Sequence, residues 1–288
     1  MRFGLIANMK HEGARDAIAT FVTWGRESGN QLVLSRELAD IAGESLPSAA
    51  HNQIAHDVDI LVSMGGDGTF LATAREVGAV GTPLLGINLG SLGFLTQLRA
   101  NQLTTALDAI VAGEYQIEER ILLETRIEGK PRLDNPYALN DVVVDNGPVA
   151  RMIDINLCVN GEDLVTYKAD GLILSTPTGS TAYSLASGGP IVQPKMEAII
   201  ATPIASFSLS TRPIIFSAND VLEMKIHSEH GVAGLTLDGQ VMAPLIDTDK
   251  VIVTRAPFLL KIIIFPENTF YKVLKRKLHW GVTPADRS

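Results

Sequence analysis

Val58-Asp59-Ile60-Leu61-Val62-Ser63-Met64-Gly65-Gly66-Asp67-Gly68-Thr69-Phe70-Leu71 reads as a short apolar strand running into three glycines that flank one carboxylate. A helix-competent segment follows. Glycines at such a corner let the backbone come close to a bulky anion, because no Cβ stands in the way. A lone carboxylate there repels that anion unless it meets a metal or takes a proton from an attacking hydroxyl. The combination reads as phosphoryl transfer. The corner is not a P-loop, since no lysine followed by Ser or Thr comes after the glycines. It is also a poor dinucleotide fingerprint: Gly66 and Gly68 supply the G-x-G, but Leu71 stands where a third glycine belongs. Taken by itself, it serves equally as a tight strand-to-helix turn with Asp67 as helix N-cap and Thr69 opening the helix.

Outward from this corner, strand and helix patterns alternate. Strands are expected at Phe3 to Asn8, Gln31 to Leu34, His56 to Met64 and Thr82 to Ile87. Helices are expected at Ala14 to Glu27, Thr69 to Val77 and Asn101 to Ala112. Such alternation predicts a doubly wound, mostly parallel sheet covered by helices on both faces. Near Glu114 the texture changes to strand after strand: Tyr115 to Glu128, Tyr137 to Asp145, Ile153 to Val159, Asp163 to Ala169 and Leu172 to Ser175. Pro213 to Phe216, Val221 to His227, Gly234 to Asp238, Lys250 to Thr254 and Leu259 to Phe265 continue the series. Short strands punctuated by Gly, Asn and Asp predict an all-β, sandwich-like domain. The expected organisation is an α/β domain over residues 1–115, a β domain over 116–265 and a C-terminal segment over 266–288, helical from Thr269 to Lys277.

Composition narrows the class. With 46% hydrophobic and 19% charged residues in 288, the chain reads as a soluble globular protein. No apolar run is long enough to span a bilayer, and Met1 to Asn8 resembles a first strand more than a signal peptide. The single cysteine, Cys158, allows no internal disulfide and fits a reducing cytoplasm. A net charge of −8 argues against a general nucleic-acid binder. A polyanionic nucleotide ligand therefore requires Mg²⁺ or a few local cations.

A second constellation is Asp170-Gly171-Leu172-Ile173-Leu174-Ser175-Thr176-Pro177-Thr178-Gly179-Ser180-Thr181-Ala182-Tyr183-Ser184-Leu185-Ala186-Ser187-Gly188-Gly189-Pro190. It packs hydroxyls, glycines and a tyrosine between apolar segments. Ser and Thr hydroxyls both donate and accept, which suits ribose and phosphate oxygens, and Tyr183 can stack on a base. Asn140-Asp141 interrupts an apolar run, so it either faces solvent at a strand-edge turn or finds ligand partners. Asn140 could bond an adenine edge, and Asp141 a pair of ribose hydroxyls. Asn88 to Thr96 is a glycine-punctuated loop that either lines a site or simply turns. The histidines show no zinc pattern, and His51 with His56 and His227 with His230 read as surface pairs. Phe258 to Phe265 reads as a core strand, and Arg151 and Lys168 by default as solvated charges.

Together these residues resemble the NAD kinase family. Gly65-Gly66-Asp67-Gly68-Thr69 is similar to a signature which that family shares with diacylglycerol, sphingosine and phosphofructokinase-type kinases. The Asn88–Thr96 loop, the Asn140-Asp141 pair and the Asp170–Tyr183 segment are narrower and occur in the same order. The resemblance implies that ATP phosphorylates the 2′-hydroxyl of the adenosine ribose of NAD, giving NADP and ADP. It makes Asp67 the catalytic base. It lines the NAD site with Gly68, Asn140, Asp141, Asp170, Thr178, Thr181, Ala182, Tyr183, Ser184, Leu185 and Ala186. Arg151, Lys168 and Gln240 become further contacts by position. Mg²⁺ would accompany ATP. The resemblance also implies that the last segment returns to the first domain and that the chain forms a homo-oligomer, a tetramer or a dimer, whose neighbour can complete the NAD site.

Two positions depart from the commonest pattern. Asp141 stands where many members carry Glu, which shortens the carboxylate's reach by one methylene. Lys168 occupies a position that is basic in members using ATP and glycine in those tolerating polyphosphate. Two rival readings are a lipid kinase sharing the glycine–aspartate corner and a non-catalytic NAD(P) sensor. The polar 175–183 segment and the lack of an amphipathic membrane helix oppose the first. Asp67 opposes the second, because a pure binder gains nothing from an acid beside phosphates.

Overall fold

Continuously apolar strands need cover on both faces, and the first sheet obeys this: Ile60–Gly65 and Leu84–Asn88 are buried at every position. The computed structural model describes residues 1–42, 46–148, 151–228, 231 and 233–280. The chain divides into one unit from Met1 to Glu119 together with the segment from Leu260 onward, and a second from Arg120 to Leu259.

In the first unit the parallel order runs from the end of the Lys250–Ile264 strand, where Ile262 pairs with Leu84, through Leu84–Asn88, Ile60–Gly65, Arg2–Ala7 and Gln31–Ser35 to Ser48–Ala49. One face packs Phe3, Leu5, Val62 and Ile87 against the helices Ala14–Ser28 and Leu103–Val111. The indole of Trp24 meets Phe3 edge-on at 5.1 Å and donates to Asp108 at 2.6 Å, tying the two helices together. On the other face, helix Asp67–Val77 lays Phe70 over Gly86, where a Cβ would come within 2.9 Å of the ring. Chain order reverses between Arg2–Ala7 and Ile60–Gly65, so the carboxyl end of the latter lies at a topological switch point. Asp67 sits there.

The second unit is a sandwich of antiparallel strands. One sheet runs Ile214–Ser217, Ala198–Ile204, Gly171–Ser175, Asp141–Asp145, Ala233–Leu237, Val241–Leu245. Facing it, Glu162–Ala169, Ile153–Val159, Leu222–His227 and the first part of Lys250–Ile264 pair antiparallel. Val142, Val144, Leu172 and Leu174 share one core with Ile155, Leu157, Met224 and Val251.

The expected fold class holds, with local corrections. Ala198–Ile204 and Val241–Leu245 are additional strands, and each carries a proline (Pro203, Pro244) that weakens a strand pattern. Lys250 to Thr254 and Leu259 to Phe265 merge into one strand, Lys250–Ile264. The expected Tyr137 to Asp145 strand breaks into Tyr137–Ala138 and Asp141–Asp145. His56 is not in a strand: a helix at His51–Ile54 and a turn at Ala55–Asp57 precede Ile60–Gly65. Arg36–Ala42 is a further helix, and the terminal one spans Phe270–Lys277. His230 and residues 281–288 lie outside the described residues. Among the described residues no helix is long and apolar enough to cross a membrane.

Candidate active site

Asp67 is the first residue of its helix, and Gly66 takes the N-cap position without any side-chain cap bond. The N-cap alternative is thus replaced by a different role. The Asp67 carboxylate reaches the loop that follows Leu84–Asn88. Its Oδ1 accepts the N–H groups of Leu95 (3.2 Å) and Thr96 (2.9 Å) and the Thr96 hydroxyl (2.8 Å); Oδ2 accepts the N–H of Phe94 at 2.8 Å. The loop is in turn fixed by Asn88, whose amide donates to Ser91 O (2.9 Å) and to Thr96 Oγ1 (2.7 Å). Gly93 makes the seat possible, because a Cβ there would lie 1.8 Å from Asp67 Oδ1. The Asn88–Thr96 loop therefore does more than turn: it aims the carboxylate. With a single donor, Oδ2 keeps lone-pair capacity for a hydroxyl.

In the second unit, strand register gathers three segments at one end of a sheet. Asp141 pairs with Ser175 and Leu237 with Val142, so Asn140–Asp141, the turn after Ser175 and the Asp238–Gln240 turn lie side by side. Thr176 binds this end together, its N–H donating to Asn140 O at 2.8 Å and its hydroxyl to Leu139 O at 2.5 Å. Gly179 presses so closely that a Cβ would fall 2.0 Å from Asn140 O. Thr181 ends the short Gly179–Thr181 turn, and Ala182 leads into the Tyr183–Ala186 helix. Tyr183 is 46% exposed, available for stacking. Ser184 is buried and bonded to the Thr202 hydroxyl at 2.8 Å, while Leu185 is half-buried and Ala186 exposed.

Asp238 organises this end, and sequence reasoning missed it. Its carboxylate accepts the backbone N–H groups of Leu139 (3.0 Å), Asn140 (2.7 Å) and Asp141 (3.2 Å). Those bonds replace the ladder that breaks between Tyr137–Ala138 and Asp141–Asp145. The only signal was Asp238-Gly239, a hairpin dipeptide with both residues at positive φ, 51° and 66°. Burial, and then the nearby Asp238 charge, push the Asp141 carboxyl up to about 7.

Three expected site residues lie elsewhere. At the far end of the same strand pair, Gly171 faces Asp145, Asp170 accepts from Asn146 and donates to Ile204 O, and Lys168 O accepts the Phe207 N–H. Arg151 precedes Ile153–Val159, whose Ile153 pairs with Ala169. At about 3.3 Å per residue, Gly171–Ser175 puts Asp170 roughly 15 Å from the end where Ser175 pairs with Asp141. Asp67 and Gly68 belong to the other unit. Of the histidines, His51 lies 3.5 Å from Glu37 and 3.8 Å from Glu76, and His227 lies 2.8 Å from Asp247.

Residues 4–115 match the family model of the ATP-NAD kinase N-terminal domain, and residues 139–265 that of the ATP-NAD kinase C-terminal domain. The chain belongs to the NAD kinase family. An NAD kinase of Heliobacterium modesticaldum is 43% identical over 237 residues, covering 82% of this chain and 83% of the relative. One from Desulforamulus reducens is 38% identical over 276 residues, covering 96% of each chain. Among solved structures, yeast NADH kinase complexed with NADH superimposes with a TM-score of 0.89 at 26% identity, covering 98% of this chain and 89% of that one. An Archaeoglobus fulgidus NAD kinase in complex with ATP shares the fold, with a TM-score of 0.78 at 24% identity and coverage of 98% and 100%. The family expected from the motifs is therefore the family found.

Two outcomes follow from the site geometry. Gly93→Ala displaces the Asp67 carboxylate from its amide donors and lowers the unfolding free energy in urea by about 2–3 kcal/mol, the scale of losing hydrogen bonds to a charged group; unchanged stability would show that the loop relaxes around the methyl. For Asp141, a carboxyl raised from 3.8 to about 7 stabilises the fold in its protonated form, fully so below pH 3.8 and progressively less toward pH 7. Across that window the wild type should lose stability relative to Asp141→Asn at up to ~1.4 kcal/mol per pH unit, measured by urea melts at stepped pH. Parallel curves for the two proteins would contradict it.

Proposed function

We infer that this chain is an NAD kinase, moving the γ-phosphoryl of ATP to the 2′-hydroxyl of the adenosine ribose of NAD to give NADP and ADP. The observation that carries this reading is the match of both kinase family models, one to each unit of the chain. A lipid kinase shares only the glycine–aspartate corner, whereas the hydroxyl-rich 175–183 segment suits a polar nucleotide. A mere sensor gains nothing from an acid beside phosphates.

In this reading, Asp67 Oδ2 accepts a hydrogen bond from the ribose 2′-hydroxyl. As the oxygen attacks Pγ, the new O–P bond forms, the bond from Pγ to the β,γ-bridging oxygen breaks, and the hydroxyl proton passes to Asp67. The carboxylate need not deprotonate the hydroxyl beforehand, since the transferring phosphoryl forms little bond to the nucleophile in a loose transition state. Mg²⁺ supplied with ATP would neutralise phosphate charge. Among the described residues no three His, Cys, Asp or Glu side chains cluster as a metal site.

Asn140, Asp141, Thr178 and the Thr181–Ala186 stretch, with Tyr183 against a base and Gln240 beside them, are proposed to hold NAD, and Gly68 to leave room for it. Arg151, Lys168 and Asp170 stand at the other end of the strand pair, which supports a homo-oligomer in which a second copy supplies them. A cytoplasmic setting is proposed from Cys158, a buried free thiol.

The test couples purified protein, ATP, Mg²⁺ and NAD to an NADP-specific dehydrogenase. Steady NADP formation is expected, and its absence refutes the reading. Asp67→Asn should keep NAD affinity within a small factor and lose roughly 10²–10⁴-fold in kcat; near-normal turnover would remove Asp67 as the base. Asp141→Ala should raise KM for NAD far more than KM for ATP, and an equal rise in both would make Asp141 structural only.

A further inference from the structure

We propose that Arg120 is a positioning residue for the dinucleotide, acting through the Thr178 hydroxyl. The turn from Thr176 to Thr181 carries four side-chain hydroxyls. Three spend their protons inside the protein: Thr176 donates to Leu139 O, Ser180 to Pro177 O and Thr181 to Thr178 O. Thr178 differs. Its Oγ1 accepts from Arg120 Nη1 at 3.2 Å, and among the described residues it donates to none. Both side chains are more than nine-tenths buried, Arg120 at 7% exposure and Thr178 at 6%.

A guanidinium has donors and no acceptor, so in this contact the Thr178 hydroxyl accepts and its own proton remains available to another acceptor. Arg120 occupies a lone pair, and the Thr178 proton points away from it. A β-branched side chain has few rotamers in which to escape. Polarisation by the cation strengthens Thr178 as a donor, and the positive charge favours an anion as its acceptor. The acceptor that fits is a phosphate oxygen of NAD. Burying a guanidinium costs desolvation that an apolar side chain of similar volume would avoid. Orienting that donor offers a reason to retain it. Arg120 lies within Gln116-Ile117-Glu118-Glu119-Arg120, a charged run at the start of the Gln116–Ile127 strand. Register and burial alone reveal its direction.

The inference rests on Thr178 contacting the nucleotide, and a double-mutant cycle separates the two claims. KM for NAD, KM for ATP, kcat and melting temperature are measured for Arg120→Met, Thr178→Val and the double variant. Each single change should raise KM for NAD about tenfold, as for one lost charge-assisted hydrogen bond, with KM for ATP unchanged and kcat within about threefold. The double variant should be no worse than the poorer single one. Multiplying effects would overturn Arg120's action through Thr178 while leaving the Thr178 contact intact. An unchanged KM in Thr178→Val would remove that contact itself, and the inference with it. A lowered melting temperature with unaltered KM in Arg120→Met would reduce Arg120 to a structural role. If Arg120→Met does not fold, the same cycle with Arg120→Gln, which removes the charge, decides by the same criteria, and an unchanged KM there also overturns the proposal.

Discussion

A carboxylate that accepts several backbone N–H groups at once is fixed in position and orientation, and two aspartates of this chain use that constraint. Asp67 is seated by the amides of Phe94, Leu95 and Thr96, and Asp238 by those of Leu139, Asn140 and Asp141. In each case the donors belong to a stretch of backbone that has left regular structure and needs partners. The aspartate satisfies that need, and the loop returns the favour by holding the side chain still. Loop backbone without a ladder partner is thereby held in one arrangement at each place.

The same device creates electrostatic tension. Asp238 brings its charge beside Asp141, which is already largely removed from water, so Asp141 holds its proton to about neutrality. The apposed acids cost the fold stability as pH rises toward neutrality. Arg120 introduces the opposite charge at the same end of the sheet, through a neutral hydroxyl.

Much of the site was legible in the chain because it rests on short, local patterns. The apolar run into Gly65-Gly66-Asp67 needs no distant partner to be read as a strand meeting a helix. Asn140-Asp141 and the hydroxyl-rich turn after Ser175 stand out for the same reason. Gly93, Asp238 and Arg120 were not legible. Each owes its role to a residue tens of positions away: Gly93 to Asp67, Asp238 to Asn140, Arg120 to Thr178. Ala198–Ile204 was missed because its proline disguises a strand whose existence is decided by pairing with Gly171–Ser175 and Ile214–Ser217.

By itself, the sequence determined the alternation that makes one unit α/β and the other β, together with the family to which the motifs belong. The first follows from periodicity over neighbouring residues, and the second from the resemblance of short local motifs to that family. Only the tertiary structure decided that Asp67 is held by a loop rather than capping its own helix. It alone showed that Asp170 and Lys168 face the opposite end of a strand from Asp141. Those outcomes depend on strand register and on which amides lack partners, and register is set by packing of the whole sheet rather than by any local stretch of chain.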